Sequence, residues 1–415
     1  MKKQFLVGAF SVVTIGAACA QGLYDIAPND EAQESLPIKW SAGLTFGYDD
    51  NVTPTVQSGD GEDDGLASVS AYVGASIVHI TPQTTWDVYA RLGVIHYFDD
   101  LGAEDADQTG SNSRIGFNWT HRVSERLRFS SRNLVAYEQE PDLEQGFITD
   151  RQVGEYFHYS SDNSVGYRWS ERFATVTGVT VRGLDFTDDF GDNDRFIYGL
   201  YNQVRYRASE QTVWTFDYRY RKSEAEGSAA DSSNHIIAGG LEHRFSPNSV
   251  LALKAGAQIR DVDGGDSGTS PYFEAAVRTR VNEQFNLRAF TRYSVEDFGT
   301  SFFNNTFDNN NTLRIGVTGT YAVSPVLSLN AGVNYIRNDF EDGRFTGPGT
   351  GADPSDLEQD LINLFVGFSY KINDGAYLTG SYNFTDSDAS GGPAGAEDSR
   401  TYDRNNVSLG VRFDF

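Results

Sequence analysis

Three groups of residues in this chain have types and spacings that chemistry could use. The first is His158-Tyr159-Ser160 followed by Asp162, with a base, a hydroxyl and a carboxylate at alternate positions. Alternate positions share one face of a strand, the row a nucleophile, its base and an orienting acid would need. The same alternation places His158 and Ser160 with Arg168, and Phe157 and Tyr159 opposite, so the serine faces away from any lipid substrate. No wider catalytic motif surrounds it, and the chain is read as a non-enzyme without catalytic residues. The second group is the carboxylates of Asp185–Asp194 (DFTDDFGDND) and Asp261–Asp266 (DVDGGD), close enough together to suit Ca²⁺. Neither follows the twelve-residue helix–loop–helix pattern, so solvated acidic loops are expected. His79, His96, His121, His158, His235 and His243 show no His-x-x-x-His spacing, and no glycine loop that could hold phosphate precedes a helix. No metal and no cofactor are assigned.

The third group is cationic. Arg91, Arg132, Arg182, Arg205, Arg219, Arg292 and Arg314 all fall mid-segment, on the parity opposite a run of apolar residues. Arg114, Arg128, Arg168, Arg221, Lys254, Arg260 and Arg412 share that parity, while its carboxylates (Asp87, Glu138, Asp162, Asp217, Glu242, Glu274, Glu296) are fewer. If the apolar face meets lipid, the arginines must point inward, because a charge at the bilayer midplane costs about 2–4 kcal/mol. Direction therefore follows from parity alone, and arginines near the turns, such as Arg128, Arg168 and Arg412, need no function. The seven mid-strand arginines are the candidates for lining a pore that attracts anions. Tyr89, Tyr97, Tyr156, Tyr201 and Tyr272 lie on the same parity, where they could stack on sugar rings or simply fill space.

The elements that must position these residues are strands. In Ile38–Asp49 the set Trp40, Ala42, Leu44, Phe46 and Tyr48 alternates with Ser41, Gly43, Thr45 and Gly47. Comparable faces recur about every 22 residues, a spacing that suits a meander with alternating short and long connections. Short connections carry turn chemistry, as in Ser124-Glu125-Arg126, Ser170-Glu171-Arg172, Ser246-Pro247-Asn248 and Asn373-Asp374-Gly375. Long ones are acidic and polar, among them Asp297–Asn311, Asn338–Glu358 and Asp386–Arg400. Asn338–Glu358, with its glycines, is the loop expected to fold inward. The pattern predicts an all-β, transmembrane, antiparallel up-and-down barrel of about eighteen strands, or sixteen if Ser113–His121, Ile236–Phe245 and Tyr272–Val281 do not all qualify.

The chain ends agree. Lys2 and Lys3, an apolar run from Phe5 to Ile15, and Ala18-Cys19-Ala20 read as a signal peptide over residues 1–20, cleaved before Gln21. Residues 21–37 read as a flexible periplasmic leader and 38–415 as the barrel. Cleavage removes Cys19, the one cysteine, and two lysines, so the formal charge becomes 31 − 58 = −27. That charge argues against nucleic acid as a partner. The last strand ends Gly410-Val411-Arg412-Phe413-Asp414-Phe415, and Gly410, Phe413 and Phe415 form a terminal pattern similar to the assembly signal of bacterial outer-membrane barrels.

The stretch GLTFGYDDNVTPT, Gly43 to Thr55, resembles the start of the type 2 bacterial beta-barrel porin family of outer-membrane proteins. The resemblance implies an outer-membrane barrel and no particular substrate. The expectations are then a porin-like channel in the bacterial outer membrane, passing small hydrophilic, in part anionic, solutes by diffusion. Export or uptake of acidic saccharides, and a closed structural or adhesive surface barrel, are the alternatives. Expected partners are outer-membrane lipid and lipopolysaccharide, the barrel-assembly machinery, the solutes themselves and, in a homo-oligomer, further copies of the chain.

Overall fold

An alternating chain must put its apolar face somewhere dry and its polar face somewhere wet, and a closed barrel in lipid does both at once. The computed structural model describes residues 35–52, 65–99, 108–138, 155–186, 194–226, 230–297, 300–302, 305–347, 353–393 and 395–415. The expected signal peptide and most of the expected leader lie outside these residues. The strands are β1 (Leu36–Asp49), β2 (Leu66–Ile80), β3 (Thr84–Tyr97), β4 (Thr109–Arg122), β5 (Leu127–Glu138), β6 (Tyr156–Arg168) and β7 (Phe173–Phe186). They continue with β8 (Arg195–Arg207), β9 (Thr212–Ala225), β10 (Ser232–Ser246), β11 (Ser249–Val262), β12 (Gly268–Arg280) and β13 (Phe285–Val295). The series ends with β14 (Ser301–Phe302), β15 (Asn305–Ser324), β16 (Leu327–Phe345), β17 (Leu357–Asn373), β18 (Ala376–Gly391) and β19 (Tyr402–Asp414), and α1 (Ala396–Arg400) precedes β19.

Successive strands pair antiparallel, and β1 pairs with both β2 and β19, so the sheet closes on itself. β13 pairs directly with β15, and the two-residue β14 only folds back on β15. The wall therefore has 19 − 1 = 18 strands. The three least regular segments are full members of it: β4, β10 and β12. β1 begins at Leu36, two positions ahead of the expected boundary at Ile38.

At one end the hairpins are tight, and their sequence explains why. Ser124 Oγ accepts from the N–H groups of Arg126 and Leu127, Ser170 Oγ from Arg172 and Phe173, and Ser324 Oγ from Val326 and Leu327. Asn282 and Asn373 do the same with side-chain carbonyls. A short polar side chain thus satisfies turn donors that the ladder leaves over. At the other end several strands outrun their apolar alternation. β15 is 20 residues long and β16 is 19, so Asn305–Asn311 and Asn338–Phe345 are strand and not loop. Likewise β18 runs to Gly391, and Ala396–Arg400 is a helical turn. The reason is physical: beyond the lipid both faces of a hairpin are wet, so no alternation marks it in the sequence. Arg344, for example, bonds Asp308 at this end through Nε at 2.9 Å.

The outer surface carries the apolar parity, with Trp40, Leu44, Phe46, Val73, Leu92, Trp214, Phe216, Val366 and Leu409 all exposed. Among the described residues no helix is long and apolar enough to cross a membrane. The first and last strands meet in register from Ser41↔Asp414 to Asp49↔Asn406. Trp40 and Phe415 exchange backbone hydrogen bonds at the turn end of this seam, as expected. At the far end Arg404 grips Asp49, and Asn405 donates from its backbone N–H to Asp50 at 2.5 Å.

Candidate functional site: the lumen wall and the segment across it

All seven mid-strand arginines lie on the inner parity, but they do not form one exposed row. Arg205 is sealed: it donates to both oxygens of Glu242 at 2.8 and 2.6 Å, and the two side chains are 2% and 1% exposed. Gln203 and Asp217 continue that network, with Gln203 Nε2 on Asp217 at 2.7 Å and Lys254 Nζ on the same carboxylate at 3.2 Å. These are buried, mutually neutralised charges that brace adjacent strands. Arg91 sits 4.2 Å from the centre of the Tyr72 ring and opposite Arg114, which makes a two-bond grip on Glu138. Arg132 faces Asp162 in register, and Tyr201 donates to that carboxylate at 2.8 Å. Near the turns, Arg168 reaches Glu125 at 3.8 Å and Arg412 reaches Asp414 at 3.1 Å, which suits a purely structural part.

The remaining four gather on one side of the lumen around a segment that sequence reading missed. Between β13 and β14 the chain turns inward, and Glu296, Asp297 and Thr300 bond side chains from the inner faces of five strands. Glu296 accepts from Arg314 Nε and Nη2 at 2.9 and 2.7 Å and from Arg292 at 2.5 Å. Asp297 holds Arg260 and accepts from Ser232 Oγ at 2.9 Å and Asn234 Nδ2 at 3.2 Å. Thr300 Oγ1 accepts from Arg195 at 2.9 Å. Arg195 belongs to β8 and Arg314 to β15, so the segment crosses the inner faces of the strands between them. Burial would push the Asp297 carboxyl up, but Arg260 and Arg221 beside it hold it down at about 2. Among the described residues this is the inward segment; the middle of Asn338–Glu358, the loop expected to fold inward, lies outside them. Its marks in the sequence were Glu296-Asp297 ending an alternating strand, which read equally well as a wet loop.

Below that segment the cations are less well matched. Arg219 touches Tyr272 Oη at 3.2 Å and stands 3.8 Å from Glu274 and 3.7 Å from Asp217. Among the described residues, Arg182 and Arg221 make no hydrogen bond or ion pair. Arg182 is repelled by Arg221 and Arg292 and attracted by Asp162 and Glu296, while Arg221 is attracted by Asp297 and repelled by Arg292 and Arg219. Arg221 has its room from Gly199, which lies between Thr180 and Arg221 in the register. A Cβ there would stand 2.5 Å from Tyr220 O and 3.1 Å from both Arg221 Cγ and Thr180 Oγ1. Guanidiniums with no carboxylate in hydrogen-bond contact offer a planar, multidentate partner to a passing carboxylate or phosphate. Arg221 shares the parity of the candidates but is not among the seven mid-strand arginines.

The tyrosines of the wall are occupied otherwise. Tyr72, Tyr89 and Tyr201 lie flat over Gly43, Gly116 and Gly178 of neighbouring strands, filling the space a side chain would take. Tyr272 donates to Glu274 at 2.7 Å and Tyr156 to Glu138 at 3.3 Å, while Tyr97 packs with Val52 and Leu66. His158 is buried beside Ala136 and Leu184, and Ser160 stands next to Leu134 and Arg182. Both thus face the lumen, as the parity implies. No group of three or more metal-ligating side chains occurs among the described residues. Most of Asp185–Asp194 lies outside them. At its end, burial pushes Asp194 up to about 6 against the N–H of Phe186, and Asp185 and Glu226 add to the rise. Gly410, Phe413 and Phe415 occupy the closing strand, Gly410 inward against Thr45 and the two phenylalanines outward.

No family model matches the chain, and no curated protein matches it either; the likeness at Gly43–Thr55 rests on those residues alone. Among solved structures the chain is similar to the outer membrane protein OpdK from Pseudomonas aeruginosa, at 13% identity and a TM-score of 0.45, covering 91% of this chain and 98% of that one. It is also similar to OccAB4 of Acinetobacter baumannii, at 14% identity and a TM-score of 0.46, over 93% of this chain and 100% of the other. OccK2 (OpdF) of Pseudomonas aeruginosa gives 11% identity and a TM-score of 0.44, over 92% and 100%.

Proposed function

We propose that this chain is a bacterial outer-membrane channel through which small hydrophilic solutes diffuse, with a preference for anions set where Arg182 and Arg221 face the lumen. The membrane reading is supported by a closed eighteen-strand wall whose outer parity is apolar and whose inner parity is charged. The anion reading is carried by one observation: among the described residues Arg182 and Arg221 make no hydrogen bond or ion pair, and the carboxylates near them, Glu296 and Asp297, are already engaged by Arg292, Arg314 and Arg260. Leaving cations unmatched has a cost that folding alone does not require, whereas a transient anion would relieve it. The tyrosines engaged over glycines and with Glu274 and Glu138 speak against a sugar-stacking track. Insertion would involve the barrel-assembly machinery acting on the terminal strand, with outer-membrane lipid and lipopolysaccharide around the wall.

The test is planar-bilayer recording of the refolded protein across a potassium chloride gradient. The expected result is discrete conductance with a reversal potential displaced toward chloride, fading as salt rises because screening shortens to about 8 Å at physiological strength. A cation-selective pore would remove the anion reading. No conductance from inserted protein would leave the closed structural or adhesive barrel in its place.

A further inference from the structure

Four polar side chains interrupt the lipid-facing parity in mid-strand, and they are joined in a closed ring. On β5 the outward set runs Phe129, Ser131, Asn133, Val135, and on β6 it runs Phe157, Tyr159, Ser161, Asn163, Val165. Ser131 stands opposite Asn163, and Asn133 opposite Ser161. Ser131 Oγ donates to Asn163 Oδ1 at 2.7 Å, Asn163 Nδ2 to Ser161 Oγ at 2.8 Å, Ser161 Oγ to Asn133 Oδ1 at 2.7 Å, and Asn133 Nδ2 to Ser131 Oγ at 2.9 Å. Beside the ring, Thr177 of β7 and Asn202 of β8 form a second outward pair at 2.6 Å, and both are exposed. Mid-strand positions elsewhere on the outer face are mostly apolar, as at Leu44, Val73, Leu92, Val333, Leu364 and Leu409, with Thr291 of β13 an isolated hydroxyl.

We propose that the β4–β8 face is where a second copy of this chain docks within the membrane. The inference rests on reading the outer face as lipid-facing. The ring uses one donor and one acceptor of each group; Asn133 Nδ2 also makes a long bond to Phe117 O at 3.5 Å, and Asn163 keeps a second N–H to place. Hydrocarbon offers no partner for such groups, while an opposing protein surface can. The patch carries no charge, so its partner must be neutral, rich in amides and hydroxyls, and set at the same depth. Among the described residues this chain has one such surface, and asparagine amides pair with one another across a symmetry axis. Five strands at about 4.8 Å spacing over about 25 Å of apolar height give roughly 600 Å² per copy. Doubled, that is about 1,200 Å², the lower end of stable interfaces.

The test uses the full chain refolded into phosphatidylcholine vesicles, restricted to protein that shows heat-modifiable migration, so failed insertion is scored separately as a failure of the membrane reading. With Cys19→Ser as background, Asn202→Cys should give an oxidative dimer, and Val333→Cys on the opposite face should not. Native mass measurement of the unsubstituted chain should give a multiple of the monomer. Asn133→Leu with Asn163→Leu should insert normally yet weaken self-association tenfold or more. A monomeric inserted protein, equal cross-linking from both faces, or unchanged association of the double variant would each overturn the proposal.

Discussion

Replacing Arg182 and Arg221 together by glutamine should weaken anion preference without disturbing the barrel. Around the inward segment the cations Arg182, Arg195, Arg219, Arg221, Lys254, Arg260, Arg292 and Arg314 face the carboxylates of Asp162, Asp217, Glu274, Glu296 and Asp297, a balance of 8 − 5 = +3. The substitution lowers it to +1, so the preference should shrink and not invert. A unit charge roughly 8 Å from a permeating ion is worth about 0.5 kcal/mol in water and about 2 kcal/mol at a protein-like dielectric of about 20. Screening over about 8 Å at physiological salt leaves about a third of that. Two charges then contribute about 0.4–1.4 kcal/mol, or about twofold to tenfold in chloride permeability. The assay is the reversal potential of single channels, wild type against variant, at about 0.01 and 0.15 M salt, where the Debye length is about 30 and 8 Å. The difference between the two proteins should widen at low salt, whatever the acidic outer loops do to both. Replacing the sealed pair, Arg205→Gln with Glu242→Gln, should leave selectivity alone, because its charges already cancel. Identical reversal potentials for wild type and the Arg182/Arg221 variant at both salts would refute the reasoning, since the charges would then not be felt in the lumen.

Other outcomes follow from the same geometry. Glu242→Ala strands a buried arginine and should cost about 3–5 kcal/mol in urea unfolding, whereas Arg205→Met with Glu242→Leu should cost far less; equal losses would contradict it. Phe413→Ser with Phe415→Ser removes the outward apolar end of the closing strand and should abolish the heat-modifiable folded form on gels; normal migration would count against the assembly role. The Asp297 carboxyl, held at about 2 and so below the ordinary value of about 3.9, favours docking of the inward segment fully above about pH 4, and this is lost as pH falls through about 2. Single-channel conductance should accordingly stay level from pH 7 to 4, and Asp297→Asn should show at pH 7 the enlarged or flickering openings that the wild type shows only in strong acid.

How far the sequence discloses this architecture depends on which solvent each residue meets. Where lipid lies on one side and water on the other, as along Leu44–Phe46 or Val407–Phe413, alternation is obligatory and the strands are legible. The serine and asparagine turns are legible too, because the side chains that close them are local. The outer reaches of β15 and β16 are not, since Asn309 and Glu341 meet in a hairpin that is wet on both faces. Nor does parity separate a sealed arginine from an unmatched one. Arg205 and Arg182 look alike in the sequence, and only the folded wall, which brings Glu242 onto Arg205 and no carboxylate into hydrogen-bond contact with Arg182 among the described residues, tells them apart. The outward ring of Ser131, Asn133, Ser161 and Asn163 is visible only as a weakening of the pattern, and its closure needs two strands at once.

The seam between β1 and β19 also bears on how this protein fails. Asp49 and Arg404 are 355 residues apart in sequence, so bringing them together costs about 5 kcal/mol of chain entropy that only a nearly complete wall can offset. Contacts of that separation form late in folding and make it slow. The converse is durability: no hairpin has a free edge to fray, and a tear must break a whole seam before any strand is released. Such a molecule should persist by the height of its unfolding barrier more than by its equilibrium stability. A cut in an outer loop should leave it standing, while loss of either terminal strand leaves nothing to close.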